Sequence, residues 1–289
     1  MDAYLTHLAI LMGIYSILAL SLQLSLGYGG LLNLGHISFF GIGAYTSALL
    51  SVQGVPFLIC FLFAGIVTAF FGWLLSIATR KLKGDYSALV TLGFSFIVYA
   101  VLLNWIELTN GSLGIAGIPR PSFLGIDFSN NIFFLMLVVF IASISYFFIW
   151  KVCNSPFGKV LESIRDDELA AKLLGKNTTK LKSVALLTAA FFAGISGSLF
   201  ASYITFIDPS SFTFTNLIPI LSIVIVGGLA SLPGTILATI IVVLLPEPFR
   251  FIGFPTSILG PIRQIIYALI LLLIIYFKPR GFYGKIDLE

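Results

Sequence analysis

The chain has 289 residues, of which 58% are hydrophobic and only 10% are Asp, Glu, Lys or Arg, against about 25% charged residues in soluble domains. A water-soluble fold cannot hide that much apolar surface, so lipid is the expected solvent and an all-α polytopic membrane protein the expected fold class. The net charge of +4 makes no case for nucleic acid; its meaning depends on which side of the membrane each Lys and Arg occupies.

From Ala3 to Thr79 no side chain carries a full charge at pH 7. At about 20 apolar residues per 30 Å crossing, that stretch has room for three spans, placed at 5–26, 32–52 and 56–79. The start lacks the basic region of a cleaved leader, so the first span is expected to stay. The second opens on "GGLLNLGHISFFGIGAY" from Gly29, rich enough in glycine to predict a broken helix of the kind that lines cavities. Further spans at 86–104, 131–150, 183–204, 216–230, 232–246 and 261–277 make nine, with eight or ten as alternatives. The pair 216–230 and 232–246 is short for full crossings. Residues 104–130 hold glycines and prolines that predict an ordered, non-helical excursion or a short surface helix. The whole of 1–289 reads as one transmembrane domain.

Counting charge on alternate sides puts thirteen of the sixteen basic residues on one side. They run from Arg80, Lys81 and Lys83 through the 151–182 loop to Lys278, Arg280 and Lys285, while Arg120, Arg250 and Arg263 fall on the other. The positive-inside rule therefore predicts a cytoplasmic 151–182 loop and C-terminus, with 104–130 external.

Within that loop, "SPFGKVLESIRDDELAAKLLG" from Ser155 to Gly175 packs seven charged residues into twenty-one positions. Ser155 can cap a helix that starts at Pro156, with Phe157, Val160, Leu161 and Ile164 at helical spacing. Asp166 or Asp167 can cap a second helix carrying Leu169, Ala170, Leu173 and Leu174, which stops at Gly175. By its physics alone the segment reads as a solvated connector, an interfacial helix or a docking element for a partner; the alternating signs of charge suit the third better than a lipid anchor.

Polar residues inside apolar spans are costly and point to function. Asn33, His36, Ser38 and Tyr45 share the glycine-rich second segment and are expected along a substrate path, with structural support as the other role of His36. Gly41, Gly43 and Ser47, with Gly194, Gly197 and Ser198, form small-residue faces suited to close helix packing. Asp85 can cap the helix that begins near Tyr86 or touch cytoplasmic machinery. Arg120 and Asp208 are external, as surface charge or as docking footholds, with organisation of its own "GIPRP" loop as the other role of Arg120. Cys60 falls in an apolar window and Cys153 in the charged loop, so no disulfide is expected, and two cysteines with His7 and His36 give no metal-ligand spacing. A phosphate-binding G-x-x-x-x-G-K-[ST] pattern fails at Gly158-Lys159, where Cys153 holds the first position, and at Gly175-Lys176, where Ala170 does. Any ATP hydrolysis belongs to another chain.

Five motifs in order, "LNLGHISFFGIGAYTSALL" (Leu32 to Leu50), "LKGDYSALVTLGF" (Leu82 to Phe94), "NGSLGIAGIPRP" (Asn110 to Pro121), the charged loop, and "IRQIIYALILLLIIYFKPRGF" (Ile262 to Phe282), resemble the permease subunits of branched-chain amino acid ABC importers, the LivH/LivM family, and its LivM-type members above all. The resemblance implies a permease bundle of 8–10 transmembrane helices, some short or interrupted, in a bacterial inner membrane. It implies a second homologous permease, two cytoplasmic ATPase subunits that carry ATP and Mg, and a periplasmic or extracellular protein delivering leucine, isoleucine or valine, with no cofactor on this chain. It also implies that the charged loop is the ATPase-coupling element. Glu168 takes its acidic position, Leu169, Ala170 and Ala171 the small and apolar ones, and Gly175 the terminating glycine, with Gly158, Arg165, Asp166 and Asp167 in the same assembly. The run "GGLASLPGTILAT" from Gly227 departs from the family pattern, with Ala238 where a packing glycine is common, as does Ala268 in the last span. A permease for urea or short amides would share most of these motifs. A stand-alone secondary transporter or channel is the other alternative, and an intramembrane enzyme lacks a catalytic carboxylate pair or metal cluster.

Overall fold

A computed structural model describes residues 2–80, 82, 84–123, 126–248, 256–278 and 280–284. Lys81, Lys83, Arg250 and Lys285, counted above, lie outside the described residues. Helix α1 (Asp2–Gln23) continues into a π-helical turn (Leu24–Tyr28) and is followed by α2 (His36–Val52), α3 (Phe57–Thr79) and α4 (Asp85–Asn104). A small α5 (Ile106–Thr109) precedes α6 (Asn131–Cys153), α7 (Pro156–Asp166), α8 (Glu168–Leu173) and α9 (Thr178–Ile204). The chain then makes α10 (Leu217–Gly227), α11 (Leu232–Leu244) and α12 (Thr256–Phe277). Six of these elements are long and apolar enough to cross a membrane, and α2, α10 and α11 are shorter apolar helices. All nine expected segments are thus helical. At 1.5 Å per residue, α10 rises about 16 Å and α11 about 20 Å, so each falls short of a 30 Å hydrocarbon core.

The expected break in the second segment lies earlier than the glycines of the helix itself. Residues Gly29 to Gly35 are irregular, held by Gly29 N–H on Leu24 O (3.1 Å) and Leu34 N–H on Thr91 Oγ1 (3.0 Å), whereas α2 runs unbroken through Gly41 and Gly43. These glycines serve close approach. A Cβ on Gly43 would collide with the backbone of Gly194 on α9, and one on Gly197 with the Phe40 carbonyl. Beside them Ser198 Oγ donates to Ser47 Oγ at 2.7 Å. Helix α3 closes on the same face of α9, where a Cβ on Gly194 would strike Thr68. The trunk of the molecule is therefore α2, α3 and α9 in near backbone contact, as small-residue membrane interfaces allow.

Residues 104–130 hold both elements expected of them. Beyond α5 come a 3₁₀ turn (Gly111–Leu113) and strand β1 (Ile115–Ala116), which pairs antiparallel with β4 (Phe206–Ile207), Ile115 opposite Ile207. Strand β2 (Ser122–Phe123) pairs antiparallel with β3 (Ile126–Asp127), Ser122 opposite Asp127. Two local expectations fail. Asp85 is the first residue of α4 and caps nothing, since Gly84 occupies the cap position without a side-chain bond; its charge rests in the first turn, where the helix dipole favours it. Cys153 is the last residue of α6 and buried, not a loop residue, and it is free, as is Cys60.

Candidate functional site

The charged loop is built as its sequence dictates. Ser155 caps α7, its hydroxyl accepting from Gly158 N–H (3.4 Å), and Pro156 follows where a missing N–H costs nothing. Gly158, Leu161 and Ile164 are buried, and a Cβ on Gly158 would strike the Cys153 carbonyl, so α7 lies directly on the end of α6. Of the two possible caps for α8 the structure uses Asp167, whose Oδ1 accepts from Leu169 N–H (2.8 Å) and Ala170 N–H (3.0 Å). Gly175, at φ +76°, ends the element in the left-handed conformation typical of helix stops.

Glu168 fastens α8 to α9. Its carboxylate accepts from Thr178 Oγ1 at 3.0 Å, Lys172 Nζ at 2.8 Å and Lys182 Nζ at 2.7 Å. Partial burial pushes its pKa up, but these bonds and the Lys182 charge outweigh that and hold it at about 2, because each favours the ionised form. With Glu168 and the buried Ala171 turned inward, the opposite face of α8 is left bare: Leu169, Leu173 and Leu174 are 60%, 90% and 78% exposed, and Ala170 is exposed beside them. Arg165 points the other way. Its guanidinium pairs with Asp166 (2.8 Å) and donates to Gly27 O (2.8 Å) in the π-helical turn after α1. A polar cleft of about 370 Å³ opens between α8, the starts of α4 and α9 and residues 30–32; Arg80, Asp85, Asp167 and Lys182 are among its walls.

The four residues expected along a path are all buried. Asn33 Oδ1 accepts from Gly35 N–H (3.1 Å) and its amide lies 3.4 Å from His36 Nδ1. The Ser21 hydroxyl donates to Leu18 O (2.7 Å), so at 2.8 Å from His36 Nε2 it accepts, which gives the Nε2–H tautomer with Nδ1 as acceptor. Ser38 Oγ donates to Ser95 Oγ at 3.1 Å. The Tyr45 ring packs 5.8 Å from Phe212, and its buried hydroxyl has no partner among the described residues. A separate cavity of about 200 Å³ takes Ile37 and Phe40 from the same helix and is not lined by these four.

At the opposite end of the bundle Arg120 organises its own loop, donating to Ser129 O (2.5 Å) and Asn131 Oδ1 (2.8 Å) and lying over the Tyr203 ring. Asp208 is held below its ordinary range: burial raises it, and bonds from Ser210 and Ser211 lower it by more.

Sequence reasoning missed Gln23. It is fully buried, and its amide donates to Gly228 O (2.7 Å) and Ser231 O (3.3 Å), fixing the end of α1 to the α10–α11 turn. An amide in a span with few polar groups was the available signal. It also missed Glu247 as the partner of Arg263 (3.3 Å); Tyr4 is bonded to the same carboxylate.

The family model described as branched-chain amino acid transport system, permease component, matches residues 4–276. The chain is 37% identical, over 93% of its own length and 67% of the relative's, to the high-affinity branched-chain amino acid transport system permease protein LivM of Salmonella typhimurium. It is 26% identical to the probable branched-chain amino acid transport permease protein LivM of Methanocaldococcus jannaschii, over 93% of this chain and 90% of that one. It is 22% identical to the corresponding permease protein LivH of Escherichia coli, over 95% and 92%. No solved structure matches.

Proposed function

The chain belongs to the family of branched-chain amino acid transport system permease components, and from that premise we propose that it is the membrane subunit of an ATP-driven importer of leucine, isoleucine and valine. Its partners are a second, homologous permease, two ATPase subunits that carry ATP and Mg²⁺, and an external substrate-binding protein. It sits in a bacterial inner membrane with α7, α8 and the C-terminus in the cytoplasm, since the end of the bundle that carries Arg80, Lys159, Lys172, Lys182 and Lys278 is the one the positive-inside rule assigns there. Arg120 then lies outside, beside the surface where the binding protein arrives.

The observation that carries this reading is the bare leucine ridge of α8 on an element locked from behind by Glu168. A short helix with its apolar face outward suits a groove on a partner, and the acidic and basic groups around it set register and discourage wrong partners. Gly158, Ala171 and Gly175 shape the element, Arg165 and Glu168 tie it to the permease, and Asp166, Asp167 and Ala170 border the contact. Nucleotide-driven movement of the docked ATPases biases inward-open and outward-open packings, and the substrate crosses with the switch.

The test is the complete transporter carrying Leu173→Asp and Leu174→Asp. Removing a central apolar anchor from an interface costs about 2 kcal/mol or more, which is over tenfold in affinity. The ATPase subunits should therefore be lost on purification, and ATP-dependent leucine uptake in vesicles should fall at least about tenfold at unchanged permease level. Normal retention together with normal uptake would refute the assignment.

A further inference from the structure

The cavity of about 200 Å³ lies where α1, α2, α9, α10, α11 and α12 converge. Phe40, Ile220, Ile223 and Val242 supply apolar wall, and Tyr15, Tyr267, Ser211 and Asn216 are among its other wall residues. It is smaller than the about 300–1,000 Å³ of drug-sized pockets, and at about 30 Å³ per water it has the room of some seven waters. That is room for one small amino acid.

Charge of both signs stands behind its Tyr267 wall. Tyr267 and Arg263 are one helical turn apart, hence on one face of α12, and Val243, another wall residue, precedes Glu247 by four positions. Arg263 and Glu247 face each other at 3.3 Å, and both act electrostatically on Tyr267. Arg263 Nε is buried with no hydrogen-bond partner among the described residues, a donor left open beside the cavity.

We propose that this cavity, with the Arg263–Glu247 pair behind its Tyr267 wall, is a transit site for a zwitterion with a short aliphatic side chain. The side chain rests against Ile220, Ile223 and Val242, the guanidinium takes the carboxylate and Glu247 the ammonium group. The proposal rests on the importer reading above and adds to it the residues that set side-chain length.

The experiment uses the complete reconstituted transporter and reads uptake of radiolabelled leucine, valine and phenylalanine in one preparation, because ratios are independent of protein yield. Val242→Ile narrows the cavity and should lower the leucine-to-valine ratio at least threefold; Val242→Ala, alone and with Ile223→Ala, widens it and should raise the phenylalanine-to-leucine ratio at least tenfold. Arg263→Gln should raise the KM for leucine at least tenfold, with Arg263→Lys intermediate. Unchanged ratios in all three cavity variants, with wild-type leucine uptake intact, would overturn the cavity and leave the importer reading standing. Absence of leucine, isoleucine and valine uptake by the wild-type complex would overturn both.

Discussion

The most apolar stretches of helices α9 and α12 have the same mean hydropathy, 1.9, yet that of α9 is 72% buried inside the protein and that of α12 is 0% buried. The difference lies in side-chain size. Helix α9 offers Ala189, Ala190, Ala193, Gly194, Ser196, Gly197 and Ser198, all buried, and α12 offers Leu269, Leu272, Tyr276 and Phe277, all exposed. Lipid tails are as apolar as leucine, so apolarity alone gives a membrane helix no reason to prefer protein over lipid. Small residues give that reason, because they let backbones touch.

Making α2–α9 resemble α12 should have the largest effect. Gly43→Val drives two methyl groups into the Gly194 backbone, which cannot yield as a flexible side chain can, so its cost should exceed the about 1–3 kcal/mol of ordinary overpacking. Detergent-extracted protein should lose its cooperative thermal transition; a melting curve like that of the wild type would break the contrast.

An intermediate effect is expected at Glu168, which fastens a short helix to the trunk through charge instead of small-residue contact. Glu168→Gln removes both lysine pairs and should raise hydrogen exchange of the α8 amides several-fold while leaving the middle of α9 protected. Because the folded carboxyl is held at about 2, below its ordinary 4.5, its contribution is fully present above pH 4.5 and is lost as the pH falls toward 2. Exchange in α8, corrected for the intrinsic pH dependence, should thus stay flat from pH 7 to 4.5 and rise below. A rise beginning above pH 5 would contradict the clamp.

The smallest change is expected from Leu272→Ala on the outer face of α12. Substitutions away from packed features stay within about 0.5 kcal/mol, so the melting temperature of the isolated chain should hold. A loss in the assembled transporter but not in the isolated chain would identify α12 as a contact with the second permease, and would sharpen the contrast from lipid-facing to partner-facing.

The apolar helices and the charged loop were legible because each rests on local chemistry: window length for the helices, and Ser155, Asp167 and Gly175 as caps and stop for α7 and α8, whereas the count of nine spans exceeds the six described helices long enough to make a full crossing. The glycine-rich second segment was legible in kind but not in position: the break falls at Gly29–Gly35, and that Gly43 packs on Gly194 in particular, 151 positions away, is fixed only by the fold. Asp85 shows the same limit at shorter range, since φ +50° at Gly84 lets the backbone enter α4 without a side-chain cap. The transit cavity left no trace in the sequence. Ile220, Ile223 and Val242 are the residues any apolar core would use, and Tyr15, Glu247 and Arg263 meet only after six helices have converged.

The π-helical turn after α1 connects two fastenings. It is pinned by Arg165 at Gly27 on one side and runs directly into Gln23, which holds Gly228 and Ser231, on the other. A displacement of α7 that keeps these bonds would therefore reach the turn between α10 and α11, two walls of the cavity.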